Sequence, residues 1–463
     1  MIAQLSSFVE FFSAVYVTMS LDNTFCKDFW TPDYNKDIER IFNKYPFKDS
    51  LIYKNLLDST VSIAVRVQNS SRKKGGFMLA FCIFLLIYIG LENPQIADSL
   101  YYRLPLSYIC GIVFIFIIFF QKFLFRKWKN VFLSHGNYLE QKVSHSGLSE
   151  QTKAQYYLAQ TYSLRSAIQF INPFSDEYLP TVHKMETAFS NAIQSLGAPV
   201  EELSIHYQDS YLPGYYLHSG NHCPTLIMVG GGDTYREDLF YFAGYPGWIR
   251  DYNVLMVDLP GQGSNPSRGL VFDVDASIPI SLCIDWLENR NPKLNYLAIY
   301  GVSGGGYFTA QAVEKDPRIH AWIASTPIYD VAELFRKEFG SSLKAPSWLI
   351  NAILKLAGNL NESANLNLKK YAWQFGTSDF KSAIDDVFNH AKIVDYQKIQ
   401  CPCLFIMGKG EGAELQYQTK VIYESLKSKN QQTKLQVFEA ESGADAHCQV
   451  NNLRLAHNVV FDW

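Results

Sequence analysis

A short apolar run that ends in a glycine–serine–glycine pattern constrains this chain more than any other feature. The run Leu297–Tyr300 leads directly into Gly301–Gly305, which reads GVSGG and fits the pattern Gly-x-Ser-x-Gly. A strand that turns sharply into a helix at this pattern exposes the serine oxygen, and the glycines allow strand and helix to pack closely. The N-terminal N–H groups of that helix can then stabilise negative charge beside the serine. We therefore predict that Ser303 is a nucleophile.

Apolar segments recur through the second half of the chain, separated by stretches with helical spacing. Continuous apolar strands that alternate with helices predict a mostly parallel sheet with helices on both faces. Catalytic groups in such sheets lie at the carboxyl ends of the strands. The predicted strands are 203–207 and 211–217, which form a hairpin, followed by 224–230, 253–258, 294–300, 321–325, 403–408 and 434–438.

Two later loops carry candidates for the groups that would activate Ser303. His447 follows the last predicted strand, and we expect it to accept the serine proton and return it to the leaving group. Glu411 follows the strand that ends at Gly408, and we expect it to hold the imidazole tautomer and stabilise the imidazolium. Glu414, in the same loop, is the alternative acid.

The order of these candidates along the chain is serine, acid, histidine, which is the order found in α/β-hydrolases. Two other histidines, His390 and His457, lie in or beside helical patterns, and we expect them to face solvent or packing. The loop after the 224–230 strand contains three glycines. One of Gly231 or Gly232 is expected to form an oxyanion hole with the N–H of Gly304.

The parallel pattern lapses between about 330 and 400, where aromatic and aliphatic residues have helical spacing instead. We predict that this segment is a helical cap over the serine, joined by helices from the 131–200 region that pack on the catalytic domain. A covered, apolar pocket favours a small hydrophobic or aromatic substrate over a polymer. The turn at 258–263 is interpreted as structural.

Several segments of this half resemble one branch of a known superfamily. The chain looks like the capped α/β-hydrolases related to 2,6-dihydroxypseudooxynicotine hydrolase, the fungal polyketide-shortening hydrolases and the fermentation-respiration-switch esterases. The resemblance covers roughly 150–463. The segments that carry it are Tyr211–Tyr215, Gly230–Thr234, Gly301–Gly306 and Gly443–Gln449, the last of which leads into 453–463.

The resemblance implies hydrolysis, by a serine, a histidine and an acid, of esters or of carbon–carbon bonds beside a ketone. It implies no metal and no organic cofactor. The family more often has an aspartate where this chain has Glu411.

Two apolar runs outside the resemblance are long enough to cross a membrane. Gly75–Leu91 and Leu104–Phe120 contain no charged residue, and basic residues flank the pair on both outer sides. A helix of that length nearly matches the thickness of the bilayer's hydrocarbon core. The positive-inside rule predicts a two-helix hairpin with both chain ends and the catalytic domain in the cytosol. A buried or membrane-dipping hairpin is the alternative.

Composition narrows the choice of partners. The net charge of −3 gives no reason to expect nucleic acid as a partner. The eight cysteines are scattered and are expected to be reduced, buried thiols. No metal site is expected.

These predictions divide the chain into four parts: an N-terminal region of unknown role at 1–71, a transmembrane hairpin at 72–130, a helical segment at 131–200 and a catalytic domain at 201–463. The sequence thus predicts a membrane-anchored serine hydrolase acting on a small hydrophobic or amphiphilic substrate. The alternatives are a non-catalytic membrane adaptor that retains the fold, and a serine peptidase. The oligomeric state is not predicted.

Overall fold

A computed structural model gives the structure of the chain for residues 126, 129–145, 147–339, 347–360, 362–430 and 432–463. The predicted N-terminal region and the transmembrane hairpin lie outside these residues, apart from 126, 129 and 130 of the hairpin. Within the ranges given, no helix is both long and apolar enough to span a membrane.

The described residues form two compact units. The first contains those up to 195 together with 353–367, and the second contains those in 196–352 and 368–463. The helices of that first unit are α1 at 129–143, α2 at Glu150–Ile168 and α3 at Tyr178–Leu196. The rings of Phe132 and Phe170 stack in it at 6.2 Å. The 131–200 segment is thus largely helical, and its packing on the catalytic domain stays a prediction.

Eight strands form the sheet of the second unit, in the order β1-β2-β4-β3-β5-β6-β7-β8. Strands β3 to β8 pair in parallel. At the β4 edge of the sheet, β2 pairs antiparallel with β4, and β1 pairs antiparallel with β2. The strands are β1 (Val200–Tyr207), β2 (Ser210–Leu217), β3 (Thr225–Val229), β4 (Asn253–Val257), β5 (Leu297–Val302), β6 (Ala321–Ser325), β7 (Cys403–Gly408) and β8 (Lys434–Phe438).

Each predicted strand is present, with bounds that differ by up to three residues. The first strand begins at Val200 instead of 203, and the differences at β2, β3 and β4 are of one residue at one or both ends. The strand expected at 294–300 runs from Leu297 to Val302. Leu294 cannot join the ladder because its N–H closes a turn on the carbonyl oxygen of Asn291 at 3.0 Å. Strands β3 to β7 are buried along their whole length, which explains why their sequences are continuously apolar.

Helices alternate with the strands of this sheet along the chain. The segment between β6 and β7 is predicted as a cap at about 330–400, and its described residues form four α-helices and no strand. In chain order the remaining helices are α4 (Arg236–Leu239), a π-helical turn (Phe240–Gly244), α5 (Tyr245–Trp248), α6 (Ser277–Arg290), α7 (Gly305–Lys315), α8 (Val331–Phe339), α9 (Ser347–Leu360), α10 (Glu362–Gln374), α11 (Phe380–His390), α12 (Ala413–Lys429) and α13 (Leu453–Asp462).

Helix α7 packs so closely on the sheet that glycine is required where they meet. A Cβ atom on Gly301 would lie 2.2 Å from the carbonyl oxygen of Gly305, and a Cβ on Gly305 would lie 2.5 Å from that of Val229. Fully buried Trp322 on β6 fixes the same contact, since its indole N–H donates to the hydroxyl of Thr309 on α7 at 2.9 Å. The end of β5 and the start of α7 are therefore held in one arrangement.

Candidate active site

Ser303 occupies a sharp turn between β5 and α7. Its φ angle is +55°, in the left-handed region that side-chain-bearing residues rarely adopt. Two hydrogen bonds hold this backbone in place: the Ser303 N–H donates to the carbonyl oxygen of Ser325 at 3.3 Å, and the Gly306 N–H donates to the Ser303 carbonyl oxygen at 2.8 Å. The turn leaves the hydroxyl of Ser303 exposed at the carboxyl end of the strand.

The structure brings the three predicted catalytic side chains together. The distance between His447 Nε2 and Ser303 Oγ is 2.9 Å, and that between His447 Nδ1 and Glu411 Oε2 is 2.5 Å. Glu411 has a fully buried side chain, whereas that of His447 is 47% exposed. The imidazole thus bridges a shielded carboxylate and the serine hydroxyl, as a serine–histidine–acid triad requires.

The two candidate acids have different partners. Glu411 accepts the His447 hydrogen bond with one oxygen and the backbone N–H of Cys448 with the other, at 3.3 Å. Glu414 lies in the first turn of α12, where its carboxylate accepts from the side-chain amide of Gln418 at 3.0 Å. The geometry therefore favours Glu411 over Glu414 as the partner of the histidine.

The environment of His447 favours its protonated form. The pKa of the imidazole is raised well above its usual value, through its interaction with the Cys448 thiol and through the hydrogen bond to and charge of Glu411, while burial acts in the opposite direction. A proton acquired from Ser303 is therefore well stabilised at this position.

The loop that carries His447 is anchored on both sides. The N–H of Gly410 donates to the carbonyl oxygen of Asp445 at 2.9 Å, and the hydroxyl of Ser325 at the end of β6 donates to Gln449 Oε1 at 2.8 Å. Gln449 stands two residues after the histidine, and the sequence predicts no role for it. Its fully buried side chain ties the histidine loop to the strand that also supports Ser303.

The glycine loop after β3 lies directly beside the serine. A Cβ on Gly231 would lie 2.6 Å from the Cβ of Ser303, so only glycine fits there. A Cβ on Gly304 would lie 3.4 Å from the backbone nitrogen of Gly232, so Gly232, one of the two candidate donors in this loop, lies close to Gly304, the other predicted donor. In the described part of the chain, no protein group accepts a hydrogen bond from either N–H. Both are available to an oxyanion on a substrate bound at Ser303.

Side-chain amides hold the carbonyl groups of this loop. Gln262 Nε2 donates to the carbonyl oxygens of Gly230 at 2.6 Å and Gly231 at 2.9 Å, and Gln374 Nε2 donates to that of Gly232. The turn at 258–263 thus supports the loop, in agreement with its predicted structural role, whereas the sequence predicts no role for Gln374. Neither contact has a sequence signal, because each joins segments that are far apart in the chain.

A cavity of about 300 Å³ opens beside Ser303 and His447. Its size is at the lower end of the range for small-ligand pockets, about 300–1,000 Å³. Two carboxylate residues, Asp273 and Asp386, line it together with mostly apolar side chains. Its aromatic lining residues are Phe272, Tyr307, Phe308, Phe335, Tyr371 and Phe375.

The other two candidate histidines lie elsewhere. His390, at the end of α11, is exposed and contacts Asp386 through Nδ1 at 2.8 Å. His457 is buried in α13, and burial lowers its pKa to about 3, so it stays neutral. Among the residues that the structure describes, no three histidine, cysteine or acidic side chains are grouped so that they could hold a metal ion.

Comparison with known proteins gives relatives that match in part. No family model matches the chain. The hydrolase ffsE of Aspergillus flavipes is 26% identical over 50% of this chain and 58% of its own length. The hydrolyase ccsE of Aspergillus clavatus is 33% identical over 37% of this chain and 41% of its own length. The chain thus spans about half the length of these relatives.

Among solved structures, 2,6-dihydroxy-pseudo-oxynicotine hydrolase is similar in fold. It aligns with a TM-score of 0.54 at 18% identity and covers 73% of this chain and 87% of its own. This likeness agrees with the resemblance that the motifs predicted. The fold is thus that of an α/β-hydrolase, and the curated relatives that the chain matches are named hydrolases, one of them an alpha/beta hydrolase.

Proposed function

We propose that this chain is a membrane-anchored serine hydrolase that cleaves an ester, or a carbon–carbon bond beside a ketone, in a small hydrophobic or aromatic substrate. One observation carries the proposal: His447 lies between Ser303 and Glu411 at hydrogen-bonding distance from each. The free N–H groups of Gly232 and Gly304 beside the serine supply the electrostatic part of the same chemistry.

The geometry supports the following course for an ester. His447 Nε2 accepts the proton of Ser303 as Oγ forms a bond to the carbonyl carbon, and the carbonyl oxygen takes up the negative charge beside Gly232 and Gly304. Collapse of this intermediate breaks the bond to the leaving alcohol, which takes the proton from His447. Water then repeats both steps on the acyl-enzyme and releases the acid.

The same groups serve for cleavage beside a ketone. There the leaving group is an enolate, and the proton held by His447 is delivered to it. Ser303 forms the acyl-enzyme in one version of this reaction. In another it only orients the ketone, and water adds to the carbonyl carbon while His447 accepts the proton of that water. The two versions differ in whether a covalent intermediate accumulates.

Reaction with a fluorophosphonate probe tests the nucleophile. We expect the wild-type chain to be labelled, and Ser303→Ala and His447→Ala to be unlabelled, because phosphonylation requires the serine oxygen and its base. Labelling is measured by in-gel fluorescence on protein whose folding has been checked by circular dichroism. His457→Ala is the matched control for loss of a histidine and should be labelled like the wild type.

Two results of that experiment would contradict the proposal. Equal labelling of Ser303→Ala would place the reactive serine elsewhere. If the folded wild type neither reacts with the probe nor turns over any ester or β-diketone, the result would favour a non-catalytic membrane adaptor that retains the fold.

The pH dependence of turnover tests the roles of His447 and Glu411. Only neutral His447 can accept the serine proton, so kcat/KM should rise with pH through the raised pKa, above the usual 6.5. Glu411→Gln removes the charge that favours the imidazolium, so the acid limb should move to lower pH. The plateau should fall by about 10³- to 10⁴-fold because the tautomer is no longer held.

Glu414→Gln is the control for this pH profile. Because Glu414 contacts Gln418 instead of the histidine, the acid limb and plateau should stay within about twofold of wild type. If Glu414→Gln shifts the acid limb of the pH profile and Glu411→Gln does not, the assignment of Glu411 as the acid is wrong.

The cavity supports selection against anionic substrates. Asp273 and Asp386 line it, and no lysine or arginine from the described ranges does. We expect kcat/KM for an aryl ester to exceed that for an isosteric ester with a carboxylate on the acyl group by at least about tenfold, since a desolvated like charge costs more than 1.4 kcal/mol. Asp386→Asn should narrow this ratio without changing hydrolysis of the neutral ester, and an unchanged ratio would argue against the carboxylate.

Membrane anchoring rests on the sequence alone, through Gly75–Leu91 and Leu104–Phe120. We expect the full chain to stay in the membrane pellet after an alkaline carbonate wash, and a chain lacking 72–130 to leave it. Release of the full chain into the supernatant would contradict a spanning hairpin.

A further inference from the structure

One glutamine links the segment between β6 and β7 to the glycine loop beside the serine. Gln374 is the last residue of α10 and is 7% exposed. Its Nε2 donates to the carbonyl oxygen of Gly232 and, at 3.3 Å, to that of Gly261. Its own carbonyl oxygen accepts the backbone N–H of Phe272 at 2.9 Å. A single residue therefore holds three loops at the rim of the site.

The orientation of the carbonyl groups in the glycine loop determines where its N–H groups point. In a trans peptide the C=O and N–H of one unit point in opposite directions. Gln262 and Thr234 hold the Gly231 carbonyl oxygen at 2.9 and 3.0 Å, which directs the Gly232 N–H, in the same peptide unit, the opposite way. Gln374 holds the next unit through the Gly232 carbonyl oxygen. Both peptide units that flank Gly232 are thus fixed from outside the loop.

The residues around Gln374 also form the wall of the cavity. Phe375 follows it directly, and its ring lies 5.0 Å from that of Phe272. Both rings and Tyr371, on the last turn of α10, line the cavity beside Ser303. A substrate that packs on these rings therefore presses on the same helix end that holds the Gly232 carbonyl.

We propose that Gln374 is a positioning residue for the oxyanion hole: by holding the Gly232 carbonyl oxygen, the end of α10 fixes the peptide unit that follows Gly232 and so restrains the residue whose N–H would meet the reacting carbonyl. This inference rests on the proposed serine hydrolase activity. Because the hydrogen bonds to an oxyanion form fully only in the transition state, loss of the Gln374 contacts lowers kcat and leaves KM nearly unchanged.

The test compares Gln374→Met, which removes the donors at similar size, with the milder Gln374→Asn, whose shorter amide cannot reach both carbonyl oxygens. Fluorophosphonate titration counts active sites, and kcat and KM are then measured per site with a neutral aryl ester. We expect kcat to fall about 10- to 100-fold in Gln374→Met and less in Gln374→Asn, below the about 10²- to 10³-fold typical of deleting a donor itself. KM should stay within about twofold.

A transition-state analogue separates positioning from a merely structural role. Phenylboronic acid adds to the serine and places an oxygen where the oxyanion forms, so its inhibition constant should rise by the same factor as kcat falls. The inhibition constant of the alcohol product should not change. Gln418→Met is the control for loss of a buried glutamine: its amide contacts Asp330 and Glu414, and kcat per titrated site should equal that of wild type.

Two outcomes would overturn the inference, and they differ from failure of the proposed function. Wild-type kcat per site in both Gln374 variants would show that the loop is held without this contact. A loss confined to KM, with unchanged boronate inhibition, would assign Gln374 to substrate binding. A wild-type chain that neither labels nor turns over would instead overturn the proposed activity and this inference with it.

Discussion

The close approach of helix α7 to the strands beneath it governs the rest of the catalytic half. Gly301 and Gly305 have no room for a Cβ atom, and a Cβ at either position would meet backbone atoms that cannot move aside. This contact forces the chain through a left-handed conformation at Ser303. The strain, of the order of 1–3 kcal/mol, persists because buried strands on both sides over-determine the turn. The exposed hydroxyl is a direct consequence of that packing.

Much of the sheet could be predicted because its strands are buried on both faces. Continuous apolar runs such as those of β3 and β7 differ from their polar surroundings, and their spacing admits only crossover helices between parallel strands. The start of β5 was harder to place, because Leu294 is apolar and yet belongs to a turn at Asn291. Hydrophobicity alone does not distinguish a residue in a ladder from one just before it.

The residues of the candidate site also differ in whether they could be predicted from the sequence. Ser303, Glu411 and His447 could be proposed from sequence because each follows a strand, and the carboxyl ends of parallel strands converge at one edge. The sequence could not distinguish Glu411 from Glu414, because they are only three residues apart and the folded loop determines which carboxylate contacts the imidazole. Gln374 left no signal in the sequence, because its partners lie more than a hundred residues away and glutamine is common on helices.

The carbonyl groups of the glycine loop explain why neutral side-chain amides, those of Gln262 and Gln374, lie beside it. Where the chain leaves β3, the carbonyl oxygens of Gly230, Gly231 and Gly232 lose their partners in the ladder, and a buried carbonyl without a donor is costly. The amides of Gln262 and Gln374 satisfy them without bringing a charge that would itself need a buried partner. Because Gln262 holds the Gly231 carbonyl oxygen, the Gly232 N–H of the same peptide unit points the opposite way. The hydrogen bonds that satisfy these buried acceptors are therefore the same ones that the proposed oxyanion hole requires.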